Sequence, residues 1–468
     1  MDNKDLLAAL ENLDIDESEF DNVNIELNNL EKKRIRSKYR KAIRNKSSLP
    51  KKIAIVAGLS IMISTGAFFS SPVRASNIPV LNSIYEMLGV YDEYIDYSQY
   101  VGQSIDVEGG TYTLEEIMVT PYSSLFAIRI TGNEPLKENT MGFMSTSLIG
   151  GSYFSSATTS IHKIDDYNMV QVIESRYSSK IPKKSTINIS IHEMSTEDNP
   201  ATLGHGNFEF KVDFGKSYDE FASLPIKKAK LDSYGLKFKE INSSIMGTQI
   251  LGDIKAINNS EKEYHEDVNN LYCLLNIDGK IYGSFASFGV TSLGKLILGD
   301  GSFIFDGLKV DEFRNAEKIT LSAFKSKYNN EELLNLYDSK ENQEIIEANN
   351  DESNTITENN VTYSKNIKFL DGRKGDFYKL ERTDDNIKLY YNGSSQDITL
   401  LTSITAHSNN GLKIHYPKIY ANPEKENEYI IEFTGIDENL ELAIHTMVNY
   451  ADEYIFLEEF KIKNSTNN

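Results

Sequence analysis

The chain has 468 residues, of which 40% are hydrophobic and 25% are charged, a composition that suits about two to four folded domains and excludes global disorder. Its formal net charge of −20 excludes an overall basic surface, so no nucleic-acid partner is expected. The single cysteine, Cys273, excludes an intramolecular disulfide, so each domain must be stable through burial alone.

Charge is unevenly distributed near the N-terminus. Residues 1–31 carry ten acids and one base, Lys4, whereas residues 32–52 carry eleven bases and no acid. Acids outnumber bases again beyond residue 53. The basic cluster is therefore a local feature that needs its own explanation.

Apolar residues in the first fifty positions recur at helical spacing. Leu6, Leu10 and Leu13 lie on one predicted face, and Val23 and Leu27 begin a second stripe. So short a segment cannot bury a core of its own, so the stripes favour a helical tail (residues 1–50) that docks on a partner. A weakly helical, solvated tail is the alternative. The predicted partner-binding residues are Leu6, Leu10, Leu13, Asp14, Asp16, Glu17, Glu19 and Phe20.

The acidic element Asp14–Phe20, which lies between the two stripes, is superficially similar to a calcium-binding loop. An EF-hand loop needs glycine at its sixth position for a sharp turn, and Glu19 stands there. The element is therefore predicted to contact a basic surface of a partner, and not a metal ion.

A candidate transmembrane helix follows at residues 51–75. No residue from Ile53 to Val73 is charged, and a helix of that length spans roughly 31 Å, close to the ~30 Å hydrocarbon thickness. The upstream bases place the N-terminus in the cytoplasm and suit anionic headgroups, so residues 32–73 are predicted to contact membrane lipid. A buried core helix and a signal peptide cleaved after Ala75 are the two alternatives.

Beyond residue 75 the pattern becomes mainly β, in a region predicted to be extracellular. Strand-like runs alternate with clusters of Gly, Asn, Asp and Ser. Similar alternation at Tyr112–Ile117 and Leu236–Ile241 favours tandem immunoglobulin-like β-sandwich domains. The predicted units are a juxtamembrane helix and linker (76–102), β domain 1 (103–220), an immunoglobulin-like β domain 2 (221–337), a linker (338–360) and β domain 3 (361–468).

No catalytic constellation emerges from the sequence. Seven histidines are present, but no pair has the spacing of a metal site. Gly215-Lys216-Ser217 is similar to the end of a phosphate-binding loop, but Phe210 stands where the leading glycine is needed. Cys273 lies in an apolar run and is predicted to be a buried strand residue, with a reactive thiol as the alternative. The chain is therefore predicted not to be an enzyme and to use no cofactor or metal ion.

A family resemblance rests on the order of elements between Asp14 and Tyr100. The acidic element is followed by a Lys/Arg-rich helix, an uncharged span and the sequence Ser71–Ala75. Two further elements, Ile78–Tyr85 and Tyr94–Tyr100, come next. This order resembles proteins that carry domain-of-unknown-function family 4179, from Gram-positive bacteria.

That resemblance implies more than the residues themselves show. Such proteins commonly carry a C-terminal immunoglobulin-like domain of family 5643, with which residues 220–340 are compatible. Members are often encoded beside extracytoplasmic-function sigma factors, which implies a membrane anti-sigma or sigma-regulatory protein with a sigma factor as its cytoplasmic partner. The family supplies no catalytic residues to transfer.

Two functions are consistent with these patterns. The first is a single-pass membrane signalling protein, in which the outer domains sense or scaffold and the tail holds a sigma factor. The second is a cell-surface adhesion or wall-associated module whose tail has no regulatory role. The sequence identifies no extracellular ligand for either.

Overall fold

The computed structural model shows a mainly β molecule, which confirms the predicted fold class at that level. It describes Tyr94 and residues 96–136, 142–148, 154–193, 203–213, 215–257, 261–293, 295–369, 372–383, 385–394, 397–408, 414–436, 440–445 and 454–462. The predicted tail, transmembrane helix and most of the juxtamembrane segment lie outside these residues and stay predictions. Of the helices within them, none is long and apolar enough to cross a bilayer.

Domain 1 consists of two antiparallel sheets. Its strands are β1 (Gln99–Val107), β2 (Gly110–Val119), β3 (Ser123–Gly132), β4 (Gly142–Leu148), β5 (Phe154–Lys163), β6 (Asn168–Tyr177), β7 (Lys184–Glu193) and β8 (Gly206–Asp213). The strand orders are β1-β2-β3-β6-β5 and β4-β7-β8. Along β6, Met169 and Ile173 face the domain core, whereas Val170 and Val172 face the other way and are also buried. The central strands of the larger sheet are therefore covered on both faces.

Domain 2 is a sandwich of two sheets. It is preceded by α1 (Lys216–Asp219), which packs on domain 1 through Tyr218. Its own elements are β9 (Phe221–Pro225), β10 (Lys230–Leu231), β11 (Leu236–Ser244), β12 (Gly247–Ile257), α2 (Glu261–Asn269), β13 (Leu271–Ile277), β14 (Lys280–Gly283), β15 (Phe285–Leu293), β16 (Leu296–Phe305), α3 (Val310–Arg314) and β17 (Ile319–Ser326). One sheet has the order β10-β11-β12-β16-β15, with β9 also paired to β11. Its Phe238 and Phe303 pack in one core with Cys273 and Leu321 of the second sheet.

Domain 3 begins with two helices. Its elements are α4 (Asn330–Tyr337), α5 (Lys340–Asn350), β18 (Thr355–Glu358), β19 (Val361–Ser364), β20 (Asn366–Lys368), β21 (Lys374–Thr383), β22 (Asn386–Asn392), α6 (Ile398–Leu401), β23 (Thr405–Ser408), β24 (Ile414–His415), β25 (Lys418–Ala421), β26 (Glu428–Thr434) and β27 (Leu442–His445), with β28 (Tyr454–Ile462) at the C-terminal end. The sheet β18-β19-β27-β23-β24 contributes Val361 and Ala406 to a core shared with Leu389 and Phe433.

One nine-stranded sheet runs through domains 2 and 3, in the order β20-β21-β22-β26-β25-β14-β13-β17-β28. Ile281 of β14 pairs with Ile419 of β25 where the two domains meet. Ile281 packs against the domain 3 core, whereas Tyr282 lies in the domain 2 core. Because successive side chains of a strand point to opposite faces, the two cores lie on opposite faces of one sheet.

The C-terminal strand belongs to domain 2 by packing. β28 pairs with β17, with Ile462 opposite Ile319, and both Phe460 and Ile462 lie in the domain 2 core. Domain 3 is thus inserted between two neighbouring strands of domain 2. This differs from the predicted unit 361–468, because the pairing joins segments more than a hundred residues apart and leaves no local pattern.

The predicted linker, residues 338–360, is also largely regular in structure. It contains α5 and β18, and Ser339 begins α5 by accepting a hydrogen bond from the Asn342 amide. The Asn349 side chain then bonds to both the amide and the carbonyl of Lys368, at 2.8 Å each. These polar contacts fix the helix beside β20, although the segment lacks a strong apolar period.

Candidate functional site at the domain junctions

A single segment of domain 2 contacts both of the other domains. We call it the connector and define it as Asp306–Arg314, which runs from the end of β16 through α3. Asp306 is bonded to Arg176 of domain 1, and Glu312 is bonded to Lys418 of domain 3. The contact region between domains 1 and 2 is called the first junction, and that between domains 2 and 3 the second junction.

A buried arginine organises the first junction. Arg176 at the end of β6 has only 6% of its side chain exposed, and it donates hydrogen bonds to the Met246 carbonyl and to Asp306, both at 2.7 Å. It also pairs with Glu174 two residues earlier on the same face. Burial acts to lower the pKa of the guanidinium, but Glu174 and Asp306 outweigh it and raise that pKa. Burial raises the pKa of the Glu174 carboxyl despite its cationic neighbour.

Tyr94 lies between the two domains at the first junction. It packs with Met118 and Leu125 on the outer face of the domain 1 sheet and with Met246 from the β11–β12 turn. Lys309 of the connector donates a hydrogen bond to the Tyr94 hydroxyl at 3.1 Å, and its ammonium lies 5.3 Å from the ring centroid. The first described residue of the chain is therefore held by both domains at once.

A turn fixes the chain that follows this tyrosine. The amides of Tyr97 and Ser98 both donate to the Tyr94 carbonyl at 2.9 Å. The Lys216 ammonium lies 4.2 Å from the centroid of the Tyr97 ring, a cation–π contact from α1. The turn leads directly into β1, so the position of Tyr94 is tied to the domain 1 sheet.

Part of the first junction is polar. Gln249 donates to the Tyr177 carbonyl of domain 1 at 3.1 Å, and by strand register Asn242 and Ser302 share its face of the domain 2 sheet. All three side chains are buried, and among the described residues the Asn242 amide, the Gln249 carbonyl oxygen and the Ser302 hydroxyl have no protein partner. Buried polar groups of this kind are usually satisfied by water, so this interface is suited to a hydrated contact.

The second junction is centred on a carboxylate of α3. Glu312 accepts hydrogen bonds from Lys418 at 3.2 Å, from Lys280 at 3.4 Å and from the Tyr282 hydroxyl. Burial acts to raise the pKa of the Glu312 carboxyl, but the Tyr282 hydroxyl and the two ammonium groups outweigh it and lower that pKa. These contacts reinforce the β14–β25 pairing on the opposite face from the domain 3 core.

A second contact closes the other face of this junction. The Tyr272 and Thr402 hydroxyls are hydrogen-bonded at 2.7 Å, which joins β13 to the end of α6. The Tyr272 ring lies 5.0 Å from that of Tyr454 on β28. Burial raises the pKa of Tyr272 to about 12, so the hydroxyl stays protonated at neutral pH.

The predicted partner-binding residues stay predictions. Leu6, Leu10, Leu13 and the acids and Phe20 that follow them all lie outside the described residues. The junction residues were not predicted, because a lone Arg176 or Glu312 in a strand or short helix carries no spacing signal. Tyr94 had a signal only as part of the Tyr94–Tyr100 element.

Two features bear on the predicted absence of a metal or thiol site. The described residues contain no group of three or more His, Cys, Asp or Glu side chains placed to hold a metal ion. Cys273 is fully buried in the domain 2 core, and burial raises the pKa of its thiol well above the ordinary value. A buried, protonated thiol is a poor nucleophile, which favours the structural interpretation of this cysteine.

Comparison with known proteins identifies one domain family. The family model of DUF4179, a domain of unknown function, matches residues 45–131. This match confirms the resemblance over a stretch that begins in the basic cluster, includes the uncharged run and ends within β3. The crystal structure of a conserved domain protein from Bacillus anthracis is similar over 53% of this chain and 86% of that one, with 14% identity and a TM-score of 0.39. No curated protein matches the chain.

Proposed function

We propose that the protein is a single-pass membrane signalling protein, of the anti-sigma or sigma-regulatory kind. The observation that carries the proposal is the position of Tyr94. It lies 21 residues beyond the end of the uncharged run at Val73 and is held between domains 1 and 2. A change in the outer domains at this point acts directly on the chain that leads to the proposed membrane helix.

The proposed topology has a cytoplasmic N-terminus and an extracellular C-terminal region. Support comes from the eleven bases before Ile53 and the acidic chain beyond it. Residues 32–73 contact lipid in this arrangement. The DUF4179 match spans both the basic flank and the first strands of domain 1, so it treats the proposed helix and the outer domain as parts of one unit.

The outer domains are proposed to be immunoglobulin-like, with domain 2 related to family 5643. In domain 2, two largely antiparallel sheets face each other across one core, as they do in immunoglobulin-like sandwiches. In this role the domains sense a signal or act as a scaffold, and they act through conformational change and binding.

Topology is tested by adding protease to intact protoplasts. The proposed arrangement predicts digestion of the region after Ser76 and protection of residues 1–50. Protection of domains 1–3 would contradict the topology, and a soluble form that begins at Ser76 would identify the uncharged run as a cleaved signal peptide.

Partner binding is tested by replacing Leu6, Leu10 and Leu13 together with Ser in the full chain. Burying one leucine contributes about 1.5–3 kcal/mol, so loss of three should release a sigma factor from co-purification while membrane insertion persists. The matched control replaces the same leucines with Met, which keeps the apolar stripe and should keep the partner. Equal recovery by all variants, or recovery by none, would reject tail docking and favour a surface module.

A further inference from the structure

We infer that the first junction is a hinge of the outer region, at which domain 1 separates from a rigid body formed by domains 2 and 3. Opening of this hinge removes Lys309 and Met246 from Tyr94. The hinge itself rests on the contacts described above, whereas its effect on the cytoplasmic tail rests on the proposed function.

Each hydrogen bond described above across the first junction involves at least one side chain. Among the described residues, no strand of domain 1 pairs with a strand of domain 2 or domain 3. Its bonds across the domains include Arg176 to Asp306, Gln249 to Tyr177 and Tyr122 to Glu240 at 2.9 Å. Contacts of this kind separate without breaking any sheet.

The apolar cluster around Tyr94 includes few residues of domain 2. Of the buried residues in the cluster around Tyr94, only Met246 comes from domain 2, with Ile245 packed beside it. The face around Gln249 is polar and suited to bridging water. Interfaces between domains that are small and polar permit relative motion, in contrast to large apolar ones.

Domains 2 and 3 are joined in a way that opposes such motion. They share one sheet through the Ile281–Ile419 pair, and β28 returns from beyond domain 3 to pair with β17. Rotation between them would break the backbone pairing of β14 with β25. Motion in the outer region therefore concentrates at the first junction.

Tyr94 makes this motion consequential. Its ring contacts residues of domain 1 and of domain 2, so it is enclosed only while the two domains are together. Hinge opening exposes the ring, frees it from the connector and leaves the turn at Tyr97 and Ser98 without support from domain 2. The hinge thus changes the environment of the chain next to the proposed membrane helix.

The test measures distances between spin labels in the full chain in detergent. Cys273 is fully buried, so labels can be directed to added cysteines at three exposed positions: Glu108 in domain 1, Thr291 in domain 2 and Thr434 in domain 3. In Arg176→Gln and Asp306→Asn, the distance from 108 to 291 should become longer and its distribution wider, while the distance from 291 to 434 stays unchanged. The matched control, Glu312→Gln, removes a charged partner at the second junction and should leave the 108–291 distance unchanged.

Two results would overturn the hinge. The first is an unchanged 108–291 distribution in both variants, and the second is equal broadening of both distances. If Arg176→Gln loses its melting transition, Asp306→Asn decides, because Asp306 is partly exposed and leaves Arg176 paired with Glu174. The distance measurement needs no partner. If the hinge opens but binding of a sigma factor does not change, the proposed function is rejected and the hinge stands.

Discussion

The two domain junctions are built from different kinds of contact. The first joins domains 1 and 2 through side chains around Arg176 and Tyr94, with no strand shared among the described residues. The second joins domains 2 and 3 through a continuous sheet and a returning C-terminal strand. Glu312 reinforces the backbone there, whereas Arg176 holds an interface that has no shared backbone ladder.

This difference gives the two junctions different mechanical roles. Insertion of domain 3 between β17 and β28 makes the stability of domain 2 depend on a strand that follows domain 3. Domain 1 contains the C-terminal part of the DUF4179 match and keeps its own core. The described part of the chain therefore consists of domain 1 and a joined pair, domains 2 and 3, with Tyr94 at the boundary.

The largest effect is expected from removing β28. Deletion of residues 454–468 takes Phe460 and Ile462 from the domain 2 core, and each contributes about 1.5–3 kcal/mol. Hydrogen exchange should show lost protection in β13 and β17 and retained protection in β3 and β6 of domain 1. Phe456→Ala is the control, since that ring is 55% exposed and its loss should cost far less. Unchanged protection of β17 after the deletion would show that β28 is dispensable.

Arg176→Met is expected to cost about 3–5 kcal/mol, because it leaves Glu174 and Asp306 without their buried cation. Adding Glu174→Gln and Asp306→Asn to this variant should recover part of the loss, since the uncompensated charges are then gone. Lys183→Gln, which breaks an exposed pair with Asp219, should cost less than about 1 kcal/mol. Chemical denaturation measures all three. Equal losses of unfolding free energy for the buried and exposed pairs would show that Arg176 contributes no more to stability than a surface ion pair.

Acid should act on the two junctions in opposite directions. The pKa of Glu312 is lowered in the folded protein, so its contribution is present above the unfolded value of about 4.3 and is lost as pH falls through the folded value. The pKa of Glu174 is raised, so its contribution is present at low pH and lost as pH rises through the folded value.

Melting temperatures measured between about pH 3 and pH 7 test these two directions, because this range includes the unfolded pKa of glutamate. In Glu312→Gln the melting temperature should fall less steeply as pH is lowered. In Glu174→Gln it should fall less steeply as pH is raised toward neutral. The same change of slope in both variants would contradict the assigned environments.

The sequence predicted the strands better than their assembly. Leu236–Ile241 lies within β11, as predicted. Alternation of apolar and polar residues is a local property, so the sequence alone is enough to predict such a strand. The pairing of β28 with β17 and the partners of Arg176 depend on residues far apart in the chain, which no single-sequence period reveals. Helix α5 was missed because a Ser339 cap and the side chain of Asn349 fix it, with little apolar periodicity. Docking by Leu6, Leu10 and Leu13 stays a prediction.

Native-state hydrogen exchange of the full chain tests the contrast between the junctions most directly. The amides of Tyr97 and Ser98, which bond to the Tyr94 carbonyl, should exchange through an opening of lower free energy and weak denaturant dependence. The amides of β17 and β28 should exchange only with the unfolding of domain 2, at higher free energy and with strong denaturant dependence. Exchange of both sets with one common free energy and denaturant slope would show a single cooperative body and contradict a separable first junction.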